Sequence, residues 1–578
     1  MEIPTAELAP IRELYGRGLY VQALRAAERF GPLKEWTNTP ARLLGGRLAI
    51  QLGAARLGRW LHLRAYRETP AHPEAIYYHA RYRLERFGPL GAWKFLRSHP
   101  DQDWYDAAPE VRADWYGLHA FVCGRLRDFD RADRWLTKAE GMSHDRAWLC
   151  VERAAVLEFA ERPLEALAAA RRSLGLVPDF RPGVQSEAHL LQLLGRESEA
   201  MERLAAASER IESGIVVAHL AALQLDQRRY HDAKQSYERY AELSPLRDEE
   251  TEKWLAARRA DTAYYCGDFV AAREQAIAAA EPFYTSLAER HKLPPDVLSP
   301  IRLDITKPET GARSTSTLDM IPAYWKAVAR PAPTDLNAVD GLQDVRERLW
   351  AIENGFIAHE FSVTSESAFE LLERGIPFLL TMVDAGYSHS QLVVGCDRTR
   401  QSLWLTDANE RRTNEAPVGL LVERYAASGP RGLVVIPQYQ ANRLEGLGLP
   451  DQRLYDDLHE IQTALHLHER PAAIAAYERM KSAETGHRVT RLARLAIARY
   501  DANPTLLLHA IDSLLALFRK ITRFYFHGST CFATWVGAKS GRLWRPGTSD
   551  ARTRTRYSPT TMRRRYCLIH PDWKKPSG

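Results

Sequence analysis

Residues Gly375–Asp407 read GIPFLLTMVDAGYSHSQLVVGCDRTRQSLWLTD, and no other stretch interrupts an otherwise helical sequence so sharply. Three short apolar runs bounded by polar turn residues predict three strands, Ile376–Thr381, Gln391–Gly395 and Ser402–Thr406. His389 stands at the entry to the second run and Asp407 at the exit of the third, with the polar loop Cys396–Gln401 joining the two strands as a hairpin. Such a hairpin sets an imidazole beside a carboxylate that can orient it, which is how a general base is held by its partner. The plainer alternative is a surface histidine and a turn aspartate with no relation to one another.

Around this stretch the pattern alternates between helix and strand. Leu318–Ala329, Val345–Asn354 and Glu366–Arg374 read as helices, and Phe356–Val363 and Leu433–Ile436 as further strands. Helices followed by a small hairpin-linked sheet make an α+β unit, expected over 301–440 and preceded by a linker at 286–300 that contains Pro294, Pro295 and Pro300.

Upstream, residues 1–285 are rich in Ala, Leu, Arg and Glu at helical spacing, and they repeat. Pro178 and Pro245 lie 67 apart (245 − 178), close to twice a 34-residue unit. Small residues recur twelve apart within each unit: Ala154 and Ala166, Ala188 and Ala200, Ala221 and Ala233, with Ala120 and Ala132 and Ala80 and Ala92 extending the series. Two antiparallel helices that cross closely admit only a small side chain at the crossing, so the spacing has a packing cause. Trp148, Tyr230, Tyr237, Trp254, Tyr264 and Tyr265 either face a partner or fill the core between repeats. After Leu454 the register returns, with Ala464 and Ala476 again twelve apart, so further repeats are expected over 441–518.

These repeats resemble the tetratricopeptide family, which implies an α-superhelix that receives peptide segments of partner proteins. The stretches LWAIENGF (Leu349–Phe356), Glu360–Thr364, Gly375–Phe378 and Tyr387–Gly395 resemble the papain-like domain of the bacteriocin-processing, double-glycine-leader cysteine peptidases. The expected fold is thus mainly α, a tetratricopeptide-like superhelix with an inserted α+β papain-like domain. The resemblance implies a cysteine nucleophile at the head of the first helix, a Gln upstream for the oxyanion, and a His and an Asp on strands. His389 matches the His and Asp407 the Asp. The family frame, aligned on Thr317, Leu318 and Trp325, puts the nucleophile at Arg313, inside GARSTSTL. A guanidinium is not a nucleophile at any cellular pH. Ser314 or Ser316 would have to take its place, and without an oxyanion donor the intermediate loses about 3 kcal/mol of stabilisation. Cys396 reads as an ordinary thiol in the hairpin turn. Related transporter domains bind substrates without cutting them, so the resemblance also implies a cleft that holds an extended peptide by its main chain.

The expectation is therefore a protein- or peptide-binding adaptor carrying a catalytically degenerate papain-like domain. The rival is an active peptidase, cysteine- or serine-type, that cleaves peptide substrates with His389 as base and Asp407 as its orienter. No cofactor and no metal is expected, since Cys123, Cys150, Cys266, Cys396, Cys531 and Cys567 lack CxxC spacing. The chain of 578 residues is too long for one core. Its apolar runs are too short for a bilayer, and MEIPTAELAPIRELYG lacks the form of a signal peptide, so a cytoplasmic location is expected.

The net charge of +6 is concentrated at the C-terminal end, where 519–578 holds 14 Lys+Arg against 2 Asp+Glu. The remainder has 79 − 14 = 65 basic and 73 − 2 = 71 acidic residues, so nucleic-acid binding would rest on this irregular basic tail alone. Back-translated with suitable codons, Arg519–His527 (RKITRFYFH) yields Pro-Glu-Asp-His-Pro-Val-Leu-Leu-Pro in the neighbouring frame, which reads as the frameshifted end of a repeat array.

Overall fold

The computed structural model describes residues 2–99, 107–142, 146–288, 297–298, 316–332, 343–384, 387–407, 410–426 and 428–518. Two compact units form. One contains Met1–Pro294, and the other contains the sheet and the hairpins that follow it.

The first unit is a series of helix hairpins whose period follows from the alanines. Helices Ala147–Phe159, Arg181–Leu193, Gly214–Asp226 and Glu249–Tyr265 open successive hairpins. Their starts lie 34, 33 and 35 residues apart (181 − 147, 214 − 181, 249 − 214). Ala154, Ala166, Ala188, Ala200, Ala221 and Ala233 are all fully buried, as are Ala80, Ala92, Ala120 and Ala132. Every hairpin turns through one residue with positive φ: Gly18, Gly53, Gly88, Arg127, Glu161, Gly195, Arg228 and Gly267. The backbone must reverse within about three residues there, and a left-handed residue does this. Asp128 and Asp268, one residue on, cap the next helices by accepting from the N–H groups of Arg131 and Ala271. Because Glu161 holds φ 62° against its Cβ, Glu161→Gly is expected to stabilise the array by about 0.5–1 kcal/mol, the relieved strain exceeding the added chain entropy. Urea titration of the two proteins measures the difference, and a destabilised variant would contradict it.

The first two hairpins also fold back on the later ones. Gly18 O accepts from Glu212 N (2.8 Å), Leu52 O from Leu246 N (3.0 Å), and Gly53 O from Asp248 N (3.2 Å) and the Thr251 hydroxyl (3.0 Å). Helices Tyr20–Ala27 and Ala55–Glu68 have no cap of their own, since Leu19 and Ala54 precede them. Distant carboxylates supply it: Glu212 accepts from Val21 N and Gln22 N, and Asp248 from Arg56 N. Burial raises the Asp248 carboxyl, but hydrogen bonds from Thr251 and Arg56 outweigh it, so its pKa ends below the ordinary value. The array is closed on itself by this clasp.

In the second unit seven strands form one antiparallel sheet: β1 Val297–Leu298, β2 Phe356–Ser362, β3 Phe378–Asp384, β4 Tyr387–Asp397, β5 Ser402–Asp407, β6 Glu410–Pro417 and β7 Arg431–Pro437. Their order is β2-β7-β3-β4-β5-β6, with β1 on β4. β7 is buried at every position, the state of a strand covered on both faces, which explains its unbroken apolar run. Helical hairpins resume at Gln452–His466 and Arg470–Ala483, where Ala464 and Ala476 are buried in one core, and continue through Arg488–Tyr500 and Pro504–Phe518.

Several expectations need correction. β4 is longer than its apolar core, so His389 lies inside the strand and not at its entry. Cys396 is likewise within β4, fully buried and paired in register with Leu298 on β1 and Leu403 on β5, and the turn occupies only 398–401. The expected helix Leu318–Ala329 is a 3-10 turn, Thr317–Asp319, followed by Met320–Trp325, and it stops because Lys326 adopts φ 52°. β3 starts at Phe378, since Ile376 N is used in closing the preceding helix on Leu371 O. β6 (ERRTNEAP) went unread, as an edge strand needs no apolar alternation. The expected tail at 519–578 lies outside the described residues.

Candidate functional site

The first helix of the α+β unit is anchored at both ends. Trp325 Nε1 donates to Val435 O (3.1 Å), the Tyr324 hydroxyl to Gly375 O (2.8 Å), and the Tyr439 hydroxyl to Trp325 O (2.7 Å). Gly375 is required there: it has φ +68°, and a Cβ would stand 2.7 Å from Arg443 Nη1. At the other end the Thr317 hydroxyl reaches Ser390 O (3.4 Å), so the head of the helix lies against β4 one residue beyond His389.

Ser316 caps this helix. Its hydroxyl accepts from Leu318 N (3.3 Å), and its own N–H donates to Asp319 Oδ2 (3.1 Å). Burial raises the Asp319 carboxyl, opposed by the N–H groups of Ala332 and Ser316. Arg313 and Ser314 lie outside the described residues.

The register fixes where the two strand residues fall. His389 pairs with Met382 on β3, and on the β5 side Leu392 pairs with Thr406. Continuing that register brings Asp407 opposite Gln391, so His389 and Asp407 occupy diagonal positions on one face of adjacent strands, about 7–8 Å apart for such pairs. Their side chains lie outside the description.

The opposite face carries a feature that the sequence reading missed. Ser362, Arg431, Thr381 and Ser390 form a row across four strands by direct pairing. Arg431 donates to Glu360 Oε2 (2.7 Å), Glu347 Oε2 (2.7 Å) and the Thr381 hydroxyl (3.2 Å), and Thr381 lies 3.1 Å from the Ser390 hydroxyl. Glu347, Glu360 and Arg431 are all buried. Arg348 adds a second cation, 3.7 Å from Glu360 and paired with Asp456 on the helix Gln452–His466. Burial and the nearby Arg348 depress the His459 imidazole to about 4, with Asp456 opposing. The signal was present in the sequence as single charges inside the apolar strands FIAHEFS and RGLVVIP.

The repeat aromatics resolve mostly as core. Tyr237 and Tyr264 are buried, Trp254 packs on Tyr237 and Tyr240, and Tyr230 stacks on Tyr265 at 4.6 Å. Among the described residues, no helix is long and apolar enough to cross a membrane.

No family model and no curated protein matches the chain. Among solved structures it is similar to pilF of Pseudomonas aeruginosa (17% identity, 39% of this chain and 96% of that one, TM-score 0.29). It is also similar to a thermophilic TPR protein of Thermus thermophilus (19%, 40% and 99%, 0.24) and a tetratricopeptide repeat protein of Parabacteroides merdae (13%, 42% and 97%, 0.27). At these TM-scores the likenesses carry no argument, and the hairpin fold stands on the chain's own 33- to 35-residue period.

Proposed function

We propose that the chain is a protein- or peptide-binding adaptor of the cytoplasm, built on helical repeats, whose papain-like unit binds without cleaving. The observation that carries this reading is the state of the serine at the head of the first helix. Ser316 is already committed to capping that helix, and the residue three before it, where the family frame calls for a nucleophile, is Arg313. A hydroxyl whose lone pair holds a backbone N–H gains nothing as a nucleophile, and an imidazole at His389 has no thiol to deprotonate. The peptidase reading keeps one supporting observation: His389 and Asp407 hold diagonal register positions on adjacent strands.

Purified full-length protein incubated with a mixed peptide library, followed by mass spectrometry, separates the two. The expected result is no cleavage above the His389→Ala background, with retention of a subset of peptides at a Kd of about 1–100 μM. Cleavage that disappears in His389→Ala overturns the adaptor reading in favour of the peptidase. Absence of both cleavage and retention overturns both.

A further inference from the structure

The helices Arg470–Ala483, Arg488–Tyr500 and Pro504–Phe518 leave between them an open cavity of about 320 Å³. Helical spacing groups its lining. Tyr477 and Lys481 are four apart on the first helix and Arg491 and Arg494 three apart on the second, so each pair shares one helix face, and Ser513 enters from the third. Tyr477 packs on the core of these hairpins. Arg491 is fixed by two backbone carbonyls: its Nε donates to Gly486 O (3.1 Å) and its Nη1 to Ser513 O, which ties the loop before its helix to the helix after it. The hydroxyls of Thr485 and Thr490 also line the cavity, but they donate to Lys481 O and Glu484 O (both 2.8 Å) and so brace the same loop.

Three cations line this cavity and no carboxylate does. Among the described residues the one acid within ion-pair distance of them is Glu478, 3.2 Å from Lys481. Arg494, half-buried, has neither an ion pair nor a hydrogen bond among the described residues, and Arg491 keeps Nη2 after its two carbonyl bonds. Elsewhere the same hairpins match arginine to carboxylate, Arg470 to Asp501 (2.6 Å) and Arg479 to Asp457 (2.9 Å). Three cations less Glu478 leave a surplus of two positive charges. A phosphate group, with a charge of about −1.5 to −2 at neutral pH, offsets that surplus, and a single carboxylate does not. The planar guanidinium forks suit its oxygens, each taking two in parallel hydrogen bonds. The cavity stands at the lower end of the roughly 300–1,000 Å³ of small-ligand pockets, which leaves room for an organic group beside the phosphate, along the Tyr477 ring.

We propose that Lys481, Arg491 and Arg494, with the Ser513 hydroxyl and the Tyr477 ring, form a site for the phosphate group of a small organic phosphate. Arg494 is the principal donor, since all of its N–H groups are uncommitted among the described residues. Arg491, anchored on both sides of the cavity, holds its remaining N–H groups in a fixed direction, and the aromatic wall favours a ligand that carries a flat ring.

Isothermal titration of the full chain with phenyl phosphate and with benzoate, at neutral pH in a phosphate-free buffer, tests this. Phenyl phosphate should bind with a Kd below about 1 mM. Benzoate, with the same ring but a singly charged carboxylate, should bind at least about tenfold more weakly. Arg494→Gln, which breaks no contact among the described residues, should weaken phenyl phosphate by about tenfold or more. Lys481→Gln, at an exposed position, should weaken it by about threefold or more. Arg239→Gln, on the helix Tyr230–Leu243 and paired with Glu242, removes the same charge elsewhere and should change nothing. The basic segment 519–578 is present in every variant, so phosphate held there would bind all of them equally, and that result would overturn the proposal. Absence of heat from phenyl phosphate at about 10 mM, or benzoate binding as tightly as phenyl phosphate, would overturn it as well.

Discussion

Arg431→Met is expected to destabilise the α+β unit by about 3–5 kcal/mol, because it removes the cation between two buried carboxylates. Glu347 is fully buried and Glu360 nearly so, each 2.7 Å from a different nitrogen of Arg431. Arg348 remains, but at 3.7 Å from Glu360 and engaged with Asp456 it cannot serve both acids. The loss is therefore the cost of stranded charge, not the net worth of the ion pairs, which buried pairs repay only in part. That distinction supplies the control. In the triple variant Arg431→Met, Glu347→Gln, Glu360→Gln no charge is stranded, so it should recover at least half of the loss. Urea unfolding followed through Trp325, Trp350 and Trp404, all buried in this unit, reads both proteins. A loss below about 1 kcal/mol for the single variant, or no recovery in the triple, would mean that the acids are not held ionised by Arg431.

Why this network escaped the sequence reading, while the repeats did not, comes down to range and degeneracy. A close helix crossing tolerates only a small side chain, so Ala154 and Ala166 or Ala188 and Ala200 record the crossing locally, within twelve residues. The hairpin turns are less uniform. Gly18, Gly53 and Gly88 are 35 apart (53 − 18, 88 − 53), but later turns use Arg127, Glu161 and Arg228 at the same left-handed position. The period was therefore visible in the alanines before it was visible in the glycines. Glu360 and Arg431 are 71 residues apart, and their pairing is decided by β2 lying beside β7, which no local pattern encodes. The same holds for His389. Its strand was legible, but the extent of β4 depends on β1 and β3 supplying partners for residues outside the apolar core.

The clasp is the extreme case, since its contacts join residues about 190 apart, and Gly53→Ala should open it. Two effects act at this position. φ is +94°, which costs any side chain about 1–2 kcal/mol. The added Cβ would also stand 3.0 Å from Arg247 Cγ and 3.2 Å from Arg247 Cα. Backbone cannot swing aside as a side-chain tip can, so overpacking adds about 1–3 kcal/mol. The sum, about 2–5 kcal/mol, falls on contacts made by few groups: the Leu52 and Gly53 carbonyls, the Asp248 cap on Arg56 and the pair of Arg56 with Glu250. Hydrogen exchange should then show amides of residues 20–27 and 55–68 losing protection by about 30-fold or more, while those of 147–243 keep theirs. Gly267→Ala isolates the strain alone, with φ +83° and nothing within 4 Å of the new Cβ, and should leave the first two hairpins protected. If both variants behaved alike, backbone strain and not close approach would account for Gly53, and the clasp would be a consequence of the hairpin turns. A difference between them would instead mark Gly53 as selected for contact across the closure.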